Sequence, residues 1–314
     1  MKYITSSICD ILGIEYPIIQ GAMAWISDAS LASAVSNAGG LGIIAAGNAP
    51  IEWVEQQIDA ANKATDKPFG VNLMMMSPTV GEVVELVIQK RVKAVTTGAG
   101  NPSEYIDRLK GGGVKVFPVI PSVSLALRMQ KCGADAVIAE GCEAGGHIGE
   151  TTTMCLIPQV VDAVQIPVVA AGGIADGRGV AAGFILGASG IQAGTVFLAA
   201  DECNISEVYK EKVLKAKDTD TVVTGRALKR PIRQLKNQLA RNLLERESVA
   251  DMDLEEYELN AAGSLKKAVI DGDSDNGSFM CGQIAGLIKE KQSAKQIIER
   301  MFFECDAIFD NIYE

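Results

Sequence analysis

Short apolar runs rich in Val and Ile recur along the first two thirds of the chain. A glycine-containing turn and a segment with helical spacing follow each run. Because the runs are apolar throughout, they are typical of parallel strands covered on both faces. Their number, eight, predicts an α/β fold of the (β/α)8 TIM barrel type, with an open doubly wound sheet as the main alternative. The predicted strands are residues 17–20, 41–45, 70–74, 94–97, 115–119, 136–140, 167–171 and 190–197.

The segments between these runs place apolar residues on one helical stripe. Ser122 and Thr152 predict helix starts, and Gly39 and Gly133 predict helix ends. The predicted helices include residues 30–38, 51–64, 80–90, 122–131, 152–164 and 179–186.

The strand repetition ends after Phe197, and the chain then becomes charged and helical. Residues 231–239 predict a helix, because their apolar positions have helical spacing behind Pro231, which suits a first turn. We therefore expect a barrel formed by residues 1–205 and 280–314. A small, mostly helical cap at residues 206–279 would be inserted before the last barrel helix, at about residues 283–310.

Composition narrows the class of protein. The 314 residues are 48% hydrophobic and 22% charged, which is typical of a globular chain. A net charge of −10 argues against general nucleic-acid binding. The N-terminus does not resemble a signal peptide, and no apolar run approaches the length of a membrane span. Seven cysteines without a C-x-x-C pair suggest neither disulfides nor zinc, so we expect a cytoplasmic protein.

The turns after the seventh and eighth strands are candidates for phosphate binding. Gly172 and Gly173 follow the seventh strand, and Gly194 and Thr195 follow the eighth. Loops at the carboxyl ends of barrel strands form active sites, and turns without side chains let backbone N–H groups approach a phosphate. These glycines could instead serve only tight turns. The chain lacks the G-x-x-x-x-G-K-[ST] loop of an ATPase.

The chain's only histidine, His147, lies in a glycine-rich loop after the sixth strand. Flanking glycines allow close approach of a flat ring, and imidazole supplies a proton or a hydrogen bond near neutral pH. We predict that His147 is catalytic or positions substrate; an ordinary structural histidine is the alternative. Met23 and Asn72 could line a flavin edge, whereas the remaining methionines of the run at 74–76 are predicted to be core.

Two further motifs carry weaker interpretations. Residues 271–277 superficially match a calcium loop, but the glycine falls one place late and the twelfth position lacks Glu, so a solvated turn is predicted. No metal site is expected. Cys142 occupies roughly the place of the nucleophilic cysteine of inosine monophosphate dehydrogenase, but the wording around it differs from that family. We predict a structural cysteine.

Several stretches together resemble the flavin-dependent enoyl-(acyl carrier protein) reductase II group, within the larger nitronate monooxygenase superfamily. The resemblance runs from about Ile11 to Leu287. Its most specific elements are YPIIQGAMAW at 16–25, AGGLG at 38–42, FGVN at 69–72, GGHIG within 141–149, AAGGIADGRG at 170–179 and CGQIAGL at 281–287.

This resemblance implies a barrel that binds FMN and takes a hydride from NADH or NADPH. The hydride would pass to the β-carbon of a trans-2-enoyl thioester on acyl carrier protein, the last step of the fatty acid elongation cycle. His147 would polarise the thioester carbonyl or help to protonate the α-carbon. A homodimer and a monovalent cation are also implied. The cofactor-binding residues would be Gly21, Ala22, Met23, Asn72, Glu140, Gly145, Gly146, Ala171, Gly172, Gly173, Gln192, Gly194, Thr195 and Gln283.

Oxidation of alkyl nitronates by oxygen uses the same cradle and a matching histidine, so it remains the alternative activity. A barrel that only binds a flavin or nucleotide as a sensor is a third possibility. A basic segment favours the reductase, because it could attract the acidic acyl carrier protein. The predicted docking residues in it are Arg226, Lys229, Arg230 and Arg233.

Overall fold

The computed structural model describes residues 2–47, 49–248 and 254–313. Its strands are β1 (Ile18–Gln20), β2 (Gly42–Ala45), β3 (Phe69–Met74), β4 (Ala94–Gly98), β5 (Lys115–Ile120), β6 (Val137–Glu140), β7 (Gly146–His147), β8 (Val168–Ala171), β9 (Gly190–Ala193), β10 (Thr221–Thr224) and β11 (Ile232–Leu235). Its α-helices are α1 (Ser7–Leu12), α2 (Ala29–Asn37), α3 (Ile51–Ala64), α4 (Val80–Gln89), α5 (Ser103–Gly111), α6 (Val123–Lys131), α7 (Thr153–Ala163), α8 (Gly177–Ile185), α9 (Glu207–Lys215), α10 (Gln238–Glu247), α11 (Leu254–Ala261), α12 (Ser264–Lys266) and α13 (Ala294–Tyr313).

Eight parallel strands form the barrel in the order β1-β9-β8-β6-β5-β4-β3-β2. The barrel closes between β1 and the start of β2 through two backbone hydrogen bonds. Gln20 N donates to Leu41 O and Leu41 N donates to Ile18 O, both at 2.9 Å. The predicted TIM barrel and its eight strands are confirmed, and the open sheet is wrong. The eighth strand is shorter than predicted, because the chain turns into a 3₁₀ helix at Thr195–Ala199.

Alternate residues of each strand point into the barrel and form layers. One layer is apolar and contains Ile19, Ile43, Phe117, Ile138 and Val169, which pack with Ile8 and Leu12 of α1. The positions two residues further along the strands line a cavity at the carboxyl ends. Four of these are polar, namely Asn72, Thr96, Glu140 and Gln192. Because inward-facing positions recur every two residues along a strand, a packed apolar layer lies directly below a partly polar layer that lines the cavity.

The six predicted helices are present, with α1 and α5 in addition. Ser122 is an N-cap, as predicted, because its hydroxyl accepts a hydrogen bond from Leu125 N at 3.4 Å. Thr152 is also at an N-cap, but its side chain makes no capping bond. The carboxylate of Glu143 caps α7 instead, since both of its oxygens lie 3.0 Å from Thr153 N. The predicted last helix is divided into a 3₁₀ helix at Gln283–Leu287 and α13.

The helix predicted at residues 231–239 is wrong. Residues Ile232–Leu235 form β11, which pairs with β10 on one side and with β7 on the other. Tertiary pairing overrides the helical spacing, and Pro231 stands where a strand tolerates proline, just before its first residue. A helix begins only at Gln238, capped by the side chain of Asn237.

The proposed cap at residues 206–279 is mostly helical in its described part, but it shares the barrel's core. Tyr209, Leu235 and Phe279 belong to the large cluster that also covers β6, β8 and β9. Its existence as a separate subdomain remains a prediction. Within the described residues, no helix is long and apolar enough to cross a membrane.

Candidate active site

A cavity of about 580 Å³ opens at the carboxyl ends of the barrel strands, a volume in the range of small-molecule sites. It is lined by His147 and by every predicted cofactor-binding residue except Gln283. The side chain of Gln283 is exposed, and only its neighbours Gly282 and Ile284 reach the cavity. The fold thus brings the predicted residues together from most of the barrel strands, while their role in cofactor binding remains a prediction.

The turn after β8 requires glycine at two consecutive positions. Gly172 has φ +90° and Gly173 has φ +75°, which are left-handed conformations that favour glycine. A Cβ added to Gly172 would lie 2.8 Å from the carbonyl oxygen of Gly141. The turn therefore packs directly against the start of the His147 loop, which we define as residues 141–149.

Four backbone N–H groups at this end of the cavity have no protein acceptor in the described part of the chain. They belong to Gly172 and Gly173 after β8, and to Gly194 and Thr195 after β9. Unpaired donors converging on a cavity are a site for an anion. This geometry agrees with the phosphate site expected from the sequence.

Glu143 supports the end of the cavity that carries these four unpaired N–H groups, a role that the sequence analysis missed. Besides capping α7, its carboxylate accepts a hydrogen bond from the Thr153 hydroxyl at 2.9 Å, and that hydroxyl also lies 2.9 Å from Gly172 O. The backbone carbonyl of Glu143 accepts from Gln283 N at 2.9 Å. An acidic residue ten positions before a helix start gives no local indication of capping, so only the fold reveals this contact.

His147 lies on the rim of the cavity and is held by the cap. Its loop pairs with β11, with His147 opposite Ile232 and Gly146 opposite Arg233. Desolvation lowers the pKa of His147, and the nearby charge of Arg230 lowers it further. The imidazole is therefore mainly neutral at pH 7 and can donate one hydrogen bond into the cavity.

Glu140 is a carboxyl group without a described hydrogen-bond partner inside the cavity. Burial raises its pKa to about 7. Nearby in the same layer, the Asn72 amide donates to the Thr96 hydroxyl at 2.9 Å, which leaves the Asn72 oxygen free to accept. This layer can therefore offer both donors and acceptors to a polar ligand at neutral pH.

The entrance carries an aromatic side chain, Trp25, which is not among the predicted cofactor-binding residues. Trp25 is 50% exposed and has φ +66°, a conformation uncommon for a bulky residue. The ammonium of Lys266, from the cap, lies 5.3 Å from the centroid of its ring. The prediction that the methionine run is core is partly wrong, since Met74 lines the cavity and Met76 is 65% exposed.

The structure bears differently on the docking surface predicted in the basic segment and on the prediction that Cys142 is structural. Arg226, Lys229 and Arg230 are exposed on the turn between β10 and β11, but Arg233 is only 7% exposed and cannot belong to a docking surface. Its guanidinium points inward, toward the carbonyl of Cys142 and the hydroxyl of Thr221. Burial raises the pKa of the Cys142 thiol, which does not favour a nucleophile.

Residues 271–277 form an exposed turn, in which the Asp273 carboxylate accepts hydrogen bonds from Asp275 N and Asn276 N. In the part of the chain that the structure describes, no group of three or more His, Cys, Asp and Glu side chains could hold a metal ion.

The nitronate monooxygenase family model matches residues 5–85 and 79–304 of the chain. A probable nitronate monooxygenase of Staphylococcus saprophyticus is 34% identical over 98% of this chain and 99% of that protein. The (3aS,4S,5R,7aS)-5-hydroxy-7a-methyl-1-oxo-octahydro-1H-indene-4-carboxyl-CoA dehydrogenase of Mycobacterium tuberculosis is also 34% identical, over 94% of each protein.

Two solved structures extend this comparison. FabK from Thermotoga maritima is 48% identical, covers 99% of each chain and superposes with a TM-score of 0.96. A nitroalkane oxidase from Streptomyces ansochromogenes is 29% identical, covers 98% of this chain and 100% of that one, and has a TM-score of 0.85. These matches confirm the superfamily predicted from the sequence motifs. The chain therefore belongs to the nitronate monooxygenase family of oxidoreductases.

Proposed function

We propose that this protein is an FMN-dependent reductase of trans-2-enoyl thioesters carried by acyl carrier protein, with NADH or NADPH as the hydride source. The observation that carries the proposal is a glycine-lined cavity with a neutral histidine on its rim, in a chain that shares 48% identity with FabK and whose motifs resemble enoyl-(acyl carrier protein) reductase II. The overall reaction consumes NAD(P)H, a proton and an enoyl thioester, and yields NAD(P)⁺ and the saturated thioester.

The lining of the cavity suits FMN. The unpaired N–H groups of Gly172, Gly173, Gly194 and Thr195 would hold the phosphate. Gly21 lies beside these groups, since an added Cβ there would lie 3.5 Å from the Cα of Gly194. Asn72, Glu140 and Gln192 would offer polar atoms to the ribityl chain and the ring edge. Bound there, FMN would supply the hydride-transfer chemistry between the nucleotide and the substrate's β-carbon.

His147 would act on the substrate rather than on the cofactor. A neutral imidazole on the rim can donate its N–H to the thioester carbonyl and so stabilise negative charge as the β-carbon accepts hydride. In its protonated form, which is the minor one at pH 7, the same imidazole can deliver a proton to the α-carbon and then take one back from water. Both roles require His147 to carry a proton that faces the cavity.

Two further features support a thioester substrate. The relative from Mycobacterium tuberculosis is named as the dehydrogenase of a CoA thioester, so the family handles such substrates. The exposed Arg226, Lys229 and Arg230 would attract the acidic carrier beside the cavity entrance.

A homodimer is part of the same proposal, and size-exclusion chromatography with light scattering tests it. So is a stimulation by monovalent cations, tested by replacing potassium with a bulky organic cation.

The cycle can be tested by anaerobic absorbance spectroscopy on the purified flavin-bound protein. NADH or NADPH should bleach the oxidised flavin bands, and crotonyl-CoA or a carrier-bound enoyl substrate should restore them. Flavin that is reduced by neither nucleotide would contradict the proposal.

Nitronate oxidation is the second candidate, because the family model and the staphylococcal relative carry that name. It predicts that an alkyl nitronate, with oxygen, turns over without any pyridine nucleotide. Enoyl reduction and nitronate oxidation can therefore be separated in one preparation by omitting the nucleotide.

A further inference from the structure

Arg233 is a buried cation whose hydrogen bonds go to the His147 loop. It is 7% exposed, and its Nε and Nη2 donate to the carbonyl oxygen of Cys142 at 3.2 and 3.0 Å. Its Nη1 donates to the Thr221 hydroxyl at 3.2 Å. Among the described residues, no carboxylate lies within ion-pair distance of it. Burying a guanidinium without an ion pair costs free energy, which the three hydrogen bonds to Cys142 and Thr221 must offset.

The Cys142 carbonyl lies at the neck of the His147 loop. Cys142 N donates to Thr151 O at 2.9 Å, which closes the loop on itself. With its N–H bonded across the loop and its carbonyl bonded to Arg233, the peptide planes on both sides of Cys142 are fixed. The direction in which the chain leaves β6 toward His147 is thereby set.

The tip of the loop is held by the same cap strand. Gly146 and His147 pair with Arg233 and Ile232, and Ile148 N donates to Pro231 O at 3.1 Å. Gly145 is in tight contact with the segment just before the 3₁₀ helix at Gln283–Leu287, since an added Cβ at Gly145 would lie 2.6 Å from the backbone of Cys281. β11 therefore binds the loop's tip through its backbone and the loop's neck through the Arg233 side chain.

We propose that Arg233 is a positioning residue, which holds the His147 loop at the Cys142 carbonyl and so fixes the imidazole over the cavity. The consequence for catalysis rests on the role proposed above for His147, but the positioning itself does not. Arg233 contributes two donors to one carbonyl, and lysine has the same charge without this planar, paired geometry. The charged group that acts on His147 from the neighbouring turn is Arg230, and the flanking carboxylates are Glu140, Glu143 and Glu150. The test variants leave all four in place.

The sole histidine of the chain makes a direct test possible. Protein labelled with ¹³C- and ¹⁵N-histidine, purified without a polyhistidine tag, gives one imidazole signal whose shift and titration report on His147. The variants are Arg233→Lys and Arg233→Met, with Arg241→Lys as the matched control. Arg241 is an exposed cap arginine, and among the described residues its side chain hydrogen-bonds only to Gln238 of the same helix, α10.

We expect the control to reproduce the native signal. Both Arg233 variants should shift or broaden it and raise its titration midpoint toward the ordinary value of 6.5, because a loosened loop exposes the partly desolvated imidazole further to water. If only the positive charge at residue 233 mattered, Arg233→Lys would keep the native His147 signal and only Arg233→Met would change it. That result would refute positioning by paired donors. Should the Met variant fail to fold, Arg233→Lys decides alone: a native shift and midpoint would overturn the proposal.

Activity gives a second readout. Displacement of His147 should lower turnover of the enoyl thioester about tenfold in Arg233→Lys, with reduction of bound flavin by NAD(P)H unchanged. If the native protein does not reduce enoyl thioesters, the proposed function fails, while the histidine signal still decides whether Arg233 positions the loop.

Discussion

The proposed phosphate end of the cavity, which consists of the turns at 172–173 and 194–195, and its His147 rim are built in different ways. At the phosphate end, Gly172 and Gly173 form a turn directly after their own strand, and the chain's own backbone supplies the donors. At the rim, the loop takes its shape from β11, a strand that lies far along the sequence. The sequence indicates the glycine turns and His147 itself, because both are local features, but it does not indicate that a distant strand shapes the His147 loop.

This difference predicts different responses to substitution. The turn at Gly172 should tolerate no added side chain, because a new Cβ would lie 2.8 Å from the carbonyl oxygen of Gly141. The rim should tolerate changes that keep β11 paired, and its chemistry should depend on one imidazole. The following predictions test the contrast, beginning with the largest effect.

Gly172→Ala should abolish detectable FMN binding and destabilise the protein by about 2–4 kcal/mol, since the new Cβ meets Gly141 O and φ is positive. Gly113→Ala is the matched control: φ is +79° there, but nothing lies within 4 Å of an added Cβ. The control should cost only about 1–2 kcal/mol and retain flavin. Flavin absorbance and thermal unfolding measure both effects. Equal flavin loss in the two variants would contradict a role of the Gly172 turn in FMN binding.

His147→Gln should lower the rate of enoyl-thioester reduction roughly 100-fold. The variant should bind FMN normally and be reduced by NAD(P)H at the native rate, because the imidazole acts on the substrate. Stopped-flow absorbance separates these two half-reactions. A slow reductive half-reaction with a normal oxidative one would assign His147 to the nucleotide instead.

Glu140→Gln should stabilise the flavin-free protein more at high pH than at low pH. The folded-state pKa of Glu140 is about 7 and its ordinary value is 4.5, so the folded state favours the protonated carboxyl. Stability is thus lost as pH rises through this interval, and glutamine avoids the loss. Between about pH 5.5 and about pH 8.5 the advantage of the variant should grow by about 1–2 kcal/mol, measured by denaturant unfolding. A constant difference would exclude titration of Glu140.

Arg230→Gln should raise the titration midpoint of His147 slightly, because it removes a cation that disfavours the imidazolium. It should also weaken use of carrier-bound substrate a few-fold at low salt, while a CoA thioester is affected less. NMR titration and paired steady-state assays measure the two effects. Equal loss on both substrates would argue against docking at this turn.

The barrel could be predicted because its strands are continuous apolar runs and its turns carry glycine, which are local features. Thr96 is not among the predicted site residues, although side chains alternate along β4 and Thr96, two residues after Ala94, therefore faces the inside of the barrel. β11 and the roles of Arg233 and Glu143 could not be predicted. Residues 231–239 have helical spacing, and only pairing with β10 and β7 makes part of them a strand.

The central claim is that the cavity reduces enoyl thioesters rather than oxidising nitronates. One flavin-bound preparation should be assayed for kcat/KM with a carrier-bound trans-2-enoyl thioester plus NADH or NADPH, and with an alkyl nitronate plus oxygen. We predict that the enoyl reaction is faster by at least tenfold, and that His147→Gln impairs it. Efficient nitronate turnover without nucleotide, together with no enoyl reduction, would contradict the account.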